Sequence, residues 1–364
     1  MLDDRLEHAI EKYRDEADRA GWLPPELVSE LRSAGAFSFY TPREFGGREA
    51  SLAGYHDILR RLGRAGGSVA WTVWNLNMGL VAAFLPPADA ATLFAAGRHP
   101  LIAHNGAPGR AEPVPGGYRI SGTWKLVSGA HTADWFLLGA IVDDGPLIFG
   151  LVPRDDVTVQ ETWDAVAMRG SDSNTVVVTG AEVPSGRTFD LSSPSRVAGS
   201  LYRLPIVTLF AAGPAAVLIG MAESAVDEAA RLVRERIGAD GAPLVTQPRV
   251  QAAVGRAGTQ VDAARSLLLT TAAELDRTVA GGEAVTDAQR GRYRGAICHI
   301  AEIAREVLVS MYDLGGSAPL LAGNRLGQIV RDGLAAAQHM NVAPWQFEVA
   351  GRTRLGLPAG TPLL

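Results

Sequence analysis

The 364-residue sequence has one cysteine, Cys298, and no Gly-x-Gly-x-x-Gly segment after a candidate strand. A single cysteine excludes an internal disulfide framework and a cysteine-based metal cluster, and the histidines lack metal-ligand spacing. The missing glycine motif leaves no evident nicotinamide site. No apolar run reaches the roughly 18 to 20 residues of a membrane helix, and the N-terminus lacks a signal-peptide pattern. We therefore expect a cytoplasmic protein without a metal or a membrane partner.

An excess of positive charge is also missing. The chain has 34 Lys and Arg residues against 39 Asp and Glu residues, a formal net charge of -5. A nucleic-acid partner would need a basic surface that displaces counterions, so this class of function is not expected. Hydrophobic residues make up 47% and charged residues 20% of the chain, as in ordinary globular proteins. The length suits two or three packed subdomains.

The chain changes character twice along its length. Residues 1–99 are predicted to form an N-terminal helical domain, residues 100–206 a central β domain and residues 207–364 a C-terminal helical domain. In the central region, short strands around the turn at Gly116-Gly117 indicate a compact barrel or sandwich. In the last region, four amphipathic segments with short connections predict a four-helix bundle. These segments are residues 214–235, 247–280, 286–314 and 324–343.

Two segments of the central region carry the most specific signal. Gly122–Ala130 is an aromatic-bearing strand that runs into a Ser-Gly turn. Met168–Asn174 is a Gly/Ser-rich loop that enters the β-branched strand Thr175–Val178. In order and spacing these segments resemble the flavin-binding middle of the acyl-CoA dehydrogenase superfamily, and the resemblance covers essentially the whole chain. It implies an α+β fold with an N-terminal helical domain, a central β-barrel and a C-terminal four-helix bundle.

Within that superfamily, the details resemble the reduced-flavin monooxygenase branch more closely. The Thr-Glu-Pro-Gly-Ser-Asp-like segment of the dehydrogenases is replaced at Ala103–Gly109. The resemblance implies that Asn105 and Ser128 hold the N5 and C4 carbonyl edge of a flavin and take part in catalysis. Both residues are also ordinary turn residues, and Arg169 could simply pair with a carboxylate inside the β domain. The flavin-binding residues that the resemblance implies are Asn105, Ser128, Trp163, Arg169, Ser171, Arg236, Gly315 and Gly316.

A second departure from the dehydrogenases follows Arg331-Asp332. Many dehydrogenases carry a glutamate base after this pair, whereas this chain continues with Gln338-His339 and no carboxylate. The monooxygenase branch carries a histidine here, and histidine titrates near neutral pH, so the resemblance makes His339 the leading catalytic residue. A lone histidine on an Ala-rich helix can also be structural. Relatives often have another histidine where this chain has Asn75, which cannot act as a base. The implied substrate-binding residues are Trp71, Trp74, Asn75 and Trp345.

The resemblance implies the oxygenase component of a two-component monooxygenase. Such a protein receives reduced FMN or FAD from a separate flavin reductase, O2 adds at the flavin C4a, and an aromatic or polycyclic substrate is hydroxylated. N-hydroxylation and S-oxygenation occur on the same scaffold. Relatives are commonly homotetramers or homodimers. Two alternatives remain open: an acyl-CoA dehydrogenase or oxidase, for which Glu274 is the candidate base, and a flavin-free scaffold without enzymatic activity.

Overall fold

The computed structural model describes residues 4–95, 99–143, 145–239 and 241–361. The chain divides into two compact units. Unit 1 contains Met1–Ala50, Trp71–Ala165 and Arg169–Ile206, and unit 2 contains Ser51–Ala70, Val166–Met168 and Val207–Leu364. The three-domain division with boundaries after residues 99 and 206 stays a prediction.

The α-helices of the described residues begin and end mostly at residues that favour such positions. Two of them have proline in the first turn after another proline, at Pro25 and Pro87, where the missing N–H costs no helical hydrogen bond. The helices are α1 (Asp4–Ala20), α2 (Pro25–Ser33), α3 (Leu52–Ala65), α4 (Gly67–Leu76), α5 (Pro87–Leu93), α6 (Ile206–Ala211), α7 (Gly213–Glu235), α8 (Pro248–Ala280), α9 (Asp287–Gly315), α10 (Arg325–Ala336) and α11 (Gln346–Arg354).

The central region of unit 1 is one seven-stranded sheet, which confirms the predicted β region. The strands are β1 (Ile102–Val114), β2 (Gly117–Val127), β3 (Trp135–Val142), β4 (Leu147–Pro153), β5 (Val157–Gln160), β6 (Asn174–Pro184) and β7 (Thr188–Phe189). Their order is β5-β6-β2-β1-β3-β4-β7, with β1 and β3 parallel and the other pairs antiparallel.

The sheet curls so that strands distant in its order approach each other. A Cβ added to Gly150 of β4 would lie 2.4 Å from Ile120 of β2 and 3.7 Å from Val183 of β6. Glycine at this position therefore leaves room for aliphatic side chains in the interior. The predicted hairpin turn between β1 and β2 is present, and Gly116 has φ +85°, which glycine adopts without steric cost.

Unit 2 is helical, with α7, α8, α9 and α10 packed together and α3 against α7 and α8. The small residue Gly220 of α7 permits close packing, because a Cβ there would lie 2.0 Å from the Arg60 carbonyl oxygen of α3. Three of the predicted bundle helices match α7, α8 and α9 to within one residue at each end. Thr286 and Gln289 form a reciprocal capping box at the start of α9, which explains its sharp beginning.

The predicted fourth helix, 324–343, was wrong at its end, because α10 stops at Ala336. His339 instead precedes a short 3-10 turn at Met340–Val342, and its Nδ1 accepts a hydrogen bond from the Asn341 amide at 3.1 Å. This side-chain contact competes with helical hydrogen bonding, and Pro344 disfavours helical backbone at the residue before it. His339 therefore lies on a loop and not on an Ala-rich helix.

One helical stretch, Ile206–Glu235, is long and apolar enough to cross a membrane by length and composition. Its most apolar window is 83% buried inside the fold. Core helices of globular proteins have the same composition, since they are apolar on all sides.

Candidate functional site

The candidate site in unit 1 begins where β2 ends. The pairing of β2 with β6 shifts register between Trp124 and Val127, and Leu126 has the left-handed φ of +59°. This irregularity is a β-bulge, which changes the direction of the chain at the end of β2. Ser128 follows directly and is only 4% exposed. Its hydroxyl oxygen accepts a hydrogen bond from Trp71 Nε1 at 3.1 Å.

The Gly/Ser-rich loop before β6 supplies two more hydroxyl groups. Ser173 Oγ lies 2.8 Å from Ser128 Oγ and 2.8 Å from Ser171 Oγ. The Gly129 amide donates to the Ser171 carbonyl at 3.0 Å, which joins the two loops through the backbone as well. Three buried hydroxyls thus form a continuous chain, and sequence reasoning had found Ser128 and Ser171 but not the link, Ser173.

A buried carboxylate holds the same two loops together. Asp172 is 1% exposed and accepts hydrogen bonds from the His131 amide at 2.6 Å, from His131 Nδ1 at 2.7 Å and from Asn174 Nδ2 at 2.9 Å. His131 Nε2 lies 3.1 Å from Glu161, and the ring packs against Trp22. Burial raises the pKa of Asp172, although the hydrogen bonds from His131 favour its ionised form.

Trp163 and Arg169 lie together at the start of this loop. Trp163 Nε1 donates to the Arg169 carbonyl at 3.0 Å. The Arg169 guanidinium donates to the Asp18 carbonyl at 2.8 Å and the Ala165 carbonyl at 2.9 Å, and lies 3.9 Å from the exposed Asp164 carboxylate. The Arg169 side chain therefore connects this loop to the end of α1 and also forms a hydrogen bond to Ala165, close to it in the chain. Its contact with a flavin stays a prediction.

Asn105 lies at an irregularity of β1, where the pairing with β3 shifts register before Gly109. Its Nδ2 donates to the Lys125 carbonyl at 2.8 Å, and its Oδ1 accepts from the Ala107 amide at 2.8 Å. The side-chain amide thus connects the irregular backbone of β1, through Oδ1, to β2, through Nδ2. These contacts give Asn105 a structural role, and its role at a flavin stays a prediction.

The predicted substrate residues of α4 lie beside this site in unit 1. Trp71 and Trp74 meet edge to face with ring centroids 5.0 Å apart, and Asn75 Nδ2 donates to the Trp71 carbonyl at 2.9 Å. Since Trp71 also donates to Ser128, the structure brings these predicted flavin and substrate residues together.

Sequence reasoning missed one residue of this group, His104 on β1. Its Nδ1 lies 3.1 Å from the Asn75 carbonyl oxygen, so this nitrogen carries the proton and donates. The ring meets Trp74 edge to face at 6.1 Å. Desolvation of the imidazole lowers the pKa of His104 to about 4, against the effect of the hydrogen bond to Asn75. A neutral histidine therefore adjoins the aromatic pair. The only feature of the sequence that pointed to His104 as a site residue was its position directly before Asn105.

The predicted residues of unit 2 form two separate groups. Arg236 donates to the Gly315 carbonyl at 2.6 Å, and its guanidinium covers Gly316, where an added Cβ would lie 3.0 Å from it. The structure thus brings together the three residues assigned to flavin binding in this unit. His339 and Trp345 lie on either side of the 3-10 turn, and Trp345 is 50% exposed at the start of α11.

Two carboxylates of unit 2 bear on the alternative functions. Glu274, the candidate base of a dehydrogenase, forms a 2.9 Å ion pair with Arg292 at the surface of α8 and α9. Asp332 of the Arg-Asp pair is buried and accepts a hydrogen bond from the Met168 amide at 2.6 Å. Both carboxylates are engaged in structural contacts, so neither has the arrangement expected of a base.

A cavity of about 780 Å³ lies elsewhere in unit 1. Arg32, which pairs with Asp134 at 2.9 Å, lies on its wall, as does Arg187, whose guanidinium covers the Trp135 ring. Within the described ranges, its lining includes none of the residues that the sequence assigns to flavin or substrate.

Comparison with known proteins agrees with this architecture. Two family models match the chain, the acyl-CoA dehydrogenase N-terminal domain over residues 1–86 and its C-terminal domain over residues 212–344. A pigment production hydroxylase from Rhodococcus sp. is 30% identical, covering 93% of this chain and 91% of its own length. The oxygenase component of an FADH2-dependent resorcinol hydroxylase from Rhizobium sp. is 28% identical, with 94% and 90% coverage.

The fold is also similar to that of a solved relative. The crystal structure of 3-HSA hydroxylase from Rhodococcus sp. RHA1 has a TM-score of 0.93 and 25% identity, covering 99% of this chain and 97% of that one. The chain therefore belongs to the acyl-CoA dehydrogenase superfamily, in its branch of flavin-dependent monooxygenase oxygenase components.

Proposed function

We propose that this protein is the oxygenase component of a two-component monooxygenase that hydroxylates an aromatic substrate with reduced flavin and O2. The observation that carries the proposal is the buried Ser128 hydroxyl at the end of β2, joined to the Trp71 indole and to Ser173. The relatives named as hydroxylases, one of them FADH2-dependent, support it.

The residues of the site fit a flavin ring edge by their chemistry. The N5 and C4 carbonyl edge presents neutral hydrogen-bonding groups, and hydroxyls match such groups without the cost of burying a charge. When bound, reduced flavin supplies the electrons that activate O2 for transfer of one oxygen atom to the substrate. We assign Ser128, Asn105, Trp163, Arg169 and Ser171 to the ring. We assign Arg236 to a flavin phosphate, and Gly315 and Gly316 to flavin binding, as the resemblance implies.

We assign the acid–base role to His339. Its Nδ1 accepts from the Asn341 amide, so the proton of the neutral imidazole is on Nε2, and the ring orientation is set by the backbone. An imidazole held in this way can donate its Nε2 proton to a substrate oxygen such as that of a phenol, and it takes up a substrate proton on Nδ1 only by losing that contact. Trp71, Trp74, Asn75 and Trp345 would shape an aromatic substrate pocket.

The partners follow from the same proposal. We expect a separate flavin reductase, because no nicotinamide motif occurs in the sequence. We expect a homotetramer or homodimer, in line with the resemblance, and the composition of the sequence leads us to expect a cytoplasmic location.

The proposal is tested by mixing the protein with chemically reduced FMN or FADH2 without oxygen, and then with oxygenated buffer in a stopped-flow spectrometer. A near-ultraviolet absorbance transient that precedes the absorbance of oxidised flavin would support the oxygenase function and identify the preferred flavin. Oxidised flavin that copurifies, forms no transient and is bleached by an acyl-CoA would instead establish a dehydrogenase.

A further inference from the structure

Ser173 links the buried hydroxyl chain and is assigned neither to the flavin nor to the substrate. Its hydroxyl lies 2.8 Å from both Ser128 and Ser171, and the residue is 6% exposed. The neighbouring Thr175 and Asn174 side chains bond elsewhere, to Thr162 and to Asp172. Ser173 is thus positioned to influence the orientation of the Ser128 hydroxyl.

Each of the two hydrogen bonds of Ser173 can run in either direction, since either hydroxyl of the pair can be the donor. The Trp71 indole N–H can only donate, so it occupies one of the two acceptor sites of Ser128. If Ser173 donates to Ser128, the second acceptor site is filled as well. In that case the Ser128 O–H does not donate to Ser173 and is available to donate to another group. Ser171 can donate to Ser173 in the same sense.

The backbone around Ser173 is held firmly enough to maintain this arrangement. The preceding residue, Asp172, has the left-handed φ of +55°, which is uncommon for a residue with a side chain. Its carboxylate is fixed by the two donors of His131 and by Asn174. Buried charge-assisted hydrogen bonds of this kind stabilise a conformation that the isolated loop would rarely adopt.

We propose that Ser173 is a positioning residue that donates its proton to Ser128 and thereby directs the Ser128 O–H toward the C4 carbonyl of bound reduced flavin. The inference rests on the proposed placement of Ser128 at the flavin. It makes Ser128 a donor, and Ser173 acts only through it.

A double-mutant cycle on flavin binding tests this role. The dissociation constant of reduced FMN and FADH2 is measured anaerobically by calorimetry for the wild type, Ser128→Ala, Ser173→Ala and the double variant. We expect each single variant to bind about fivefold more weakly, as for the loss of one neutral hydrogen bond. The double variant should bind no more weakly than Ser128→Ala, because Ser173 has nothing left to orient.

Matched variants separate positioning from stability. Ser173→Thr keeps the hydroxyl and should restore most of the affinity, whereas Ser173→Cys keeps the volume with a weak donor and should resemble Ser173→Ala. Ser121→Ala removes a hydroxyl that accepts from the Gly180 amide in the same sheet, and should leave flavin binding unchanged. Urea unfolding of each variant confirms that the measured protein is folded.

The outcomes distinguish the inference from the function on which it rests. Two results would overturn the role of Ser173 and leave the oxygenase proposal standing. One is a loss of flavin affinity in the double variant that equals the sum of the two single losses. The other is wild-type affinity in Ser173→Ala together with weakened binding in Ser128→Ala. Wild-type affinity in both single variants would remove Ser128 from the flavin and overturn the inference with it. A wild type that binds neither reduced flavin would refute the proposed function itself.

Discussion

The core of unit 2 contains a histidine that should make the protein sensitive to acid. His56 of α3 is 1% exposed and stacks on Tyr293 of α9, with His56 Nε2 3.3 Å from the tyrosine oxygen. Burial lowers the pKa of His56 to about 3. The neutral ring is therefore the form that the fold accommodates, and protonation in the unfolded chain competes with folding.

The sign and size of the effect follow from linkage. Because the folded pKa lies below the ordinary value of about 6.5, the unfolded chain binds the proton first as the pH falls, and stability is lost between about pH 6.5 and pH 3. Between pH 7 and pH 5 the loss from this one group is about 2 kcal/mol. Below pH 3 it approaches roughly 5 kcal/mol, at 1.36 kcal/mol per pH unit.

The measurement is the free energy of urea unfolding from pH 7 to pH 5, followed by the far-ultraviolet circular dichroism of the helices. His56→Gln keeps a hydrogen-bonding group for Tyr293 and removes the titration, so the difference from the wild type should shrink by about 2 kcal/mol over this range. Carboxylates common to both proteins cancel in the difference. His8→Gln, at an exposed position of α1, controls for the loss of a histidine as such. Parallel pH curves for wild type and His56→Gln would refute the buried neutral state.

Three further results are expected. Gly220→Ala should destabilise the protein by about 2 kcal/mol or more in urea unfolding, since its Cβ would clash with backbone, whereas Gly255→Ala on open α8 surface should stabilise it by up to about 1 kcal/mol. His339→Ala should lower the rate of substrate hydroxylation by about 10²-fold or more, while the flavin is still oxidised with release of peroxide. The control variant His299→Ala, at an exposed position, should hydroxylate at the wild-type rate. A His339→Ala variant that hydroxylates at the wild-type rate would show that His339 takes no part in the chemistry. Trp71→Phe keeps an aromatic ring without the indole N–H and should weaken reduced-flavin binding about fivefold in calorimetry.

The helices of unit 2 were predictable where local signals and periodicity agree. The boundaries of α7, α8 and α9 follow proline in the first turn or a capping box, together with amphipathic spacing that continues to the end of each helix. The end of α10 was not predictable in the same way. Ala-rich sequence continues past Ala336, so composition and periodicity do not mark the end of the helix, and the contact between His339 and the Asn341 amide lies beyond it.

The candidate site was predictable in its segments and not in its contacts. The Ser-Gly turn and the Gly/Ser-rich loop stand out in the sequence because their residue types suit turns that present hydroxyls. The pairing of His131 with Asp172 joins residues 41 positions apart, and that of Ser128 with Ser173 joins residues 45 apart. No local pattern specifies such pairs, since they arise when two loops of the same sheet are brought together by strand pairing.

The histidines show why residue type alone could not select the chemistry. In the sequence His56, His104 and His339 are equivalent lone histidines, but the structure gives each a different environment. His56 is stacked in a helical core, His104 donates to a carbonyl beside two tryptophans, and His339 accepts from a backbone amide on a loop. The hydrogen bond to a carbonyl puts the proton of His104 on Nδ1, whereas the bond from an amide puts that of His339 on Nε2. The two imidazoles therefore have opposite tautomers: Nε2 of His104 is an acceptor, and Nε2 of His339 is a donor.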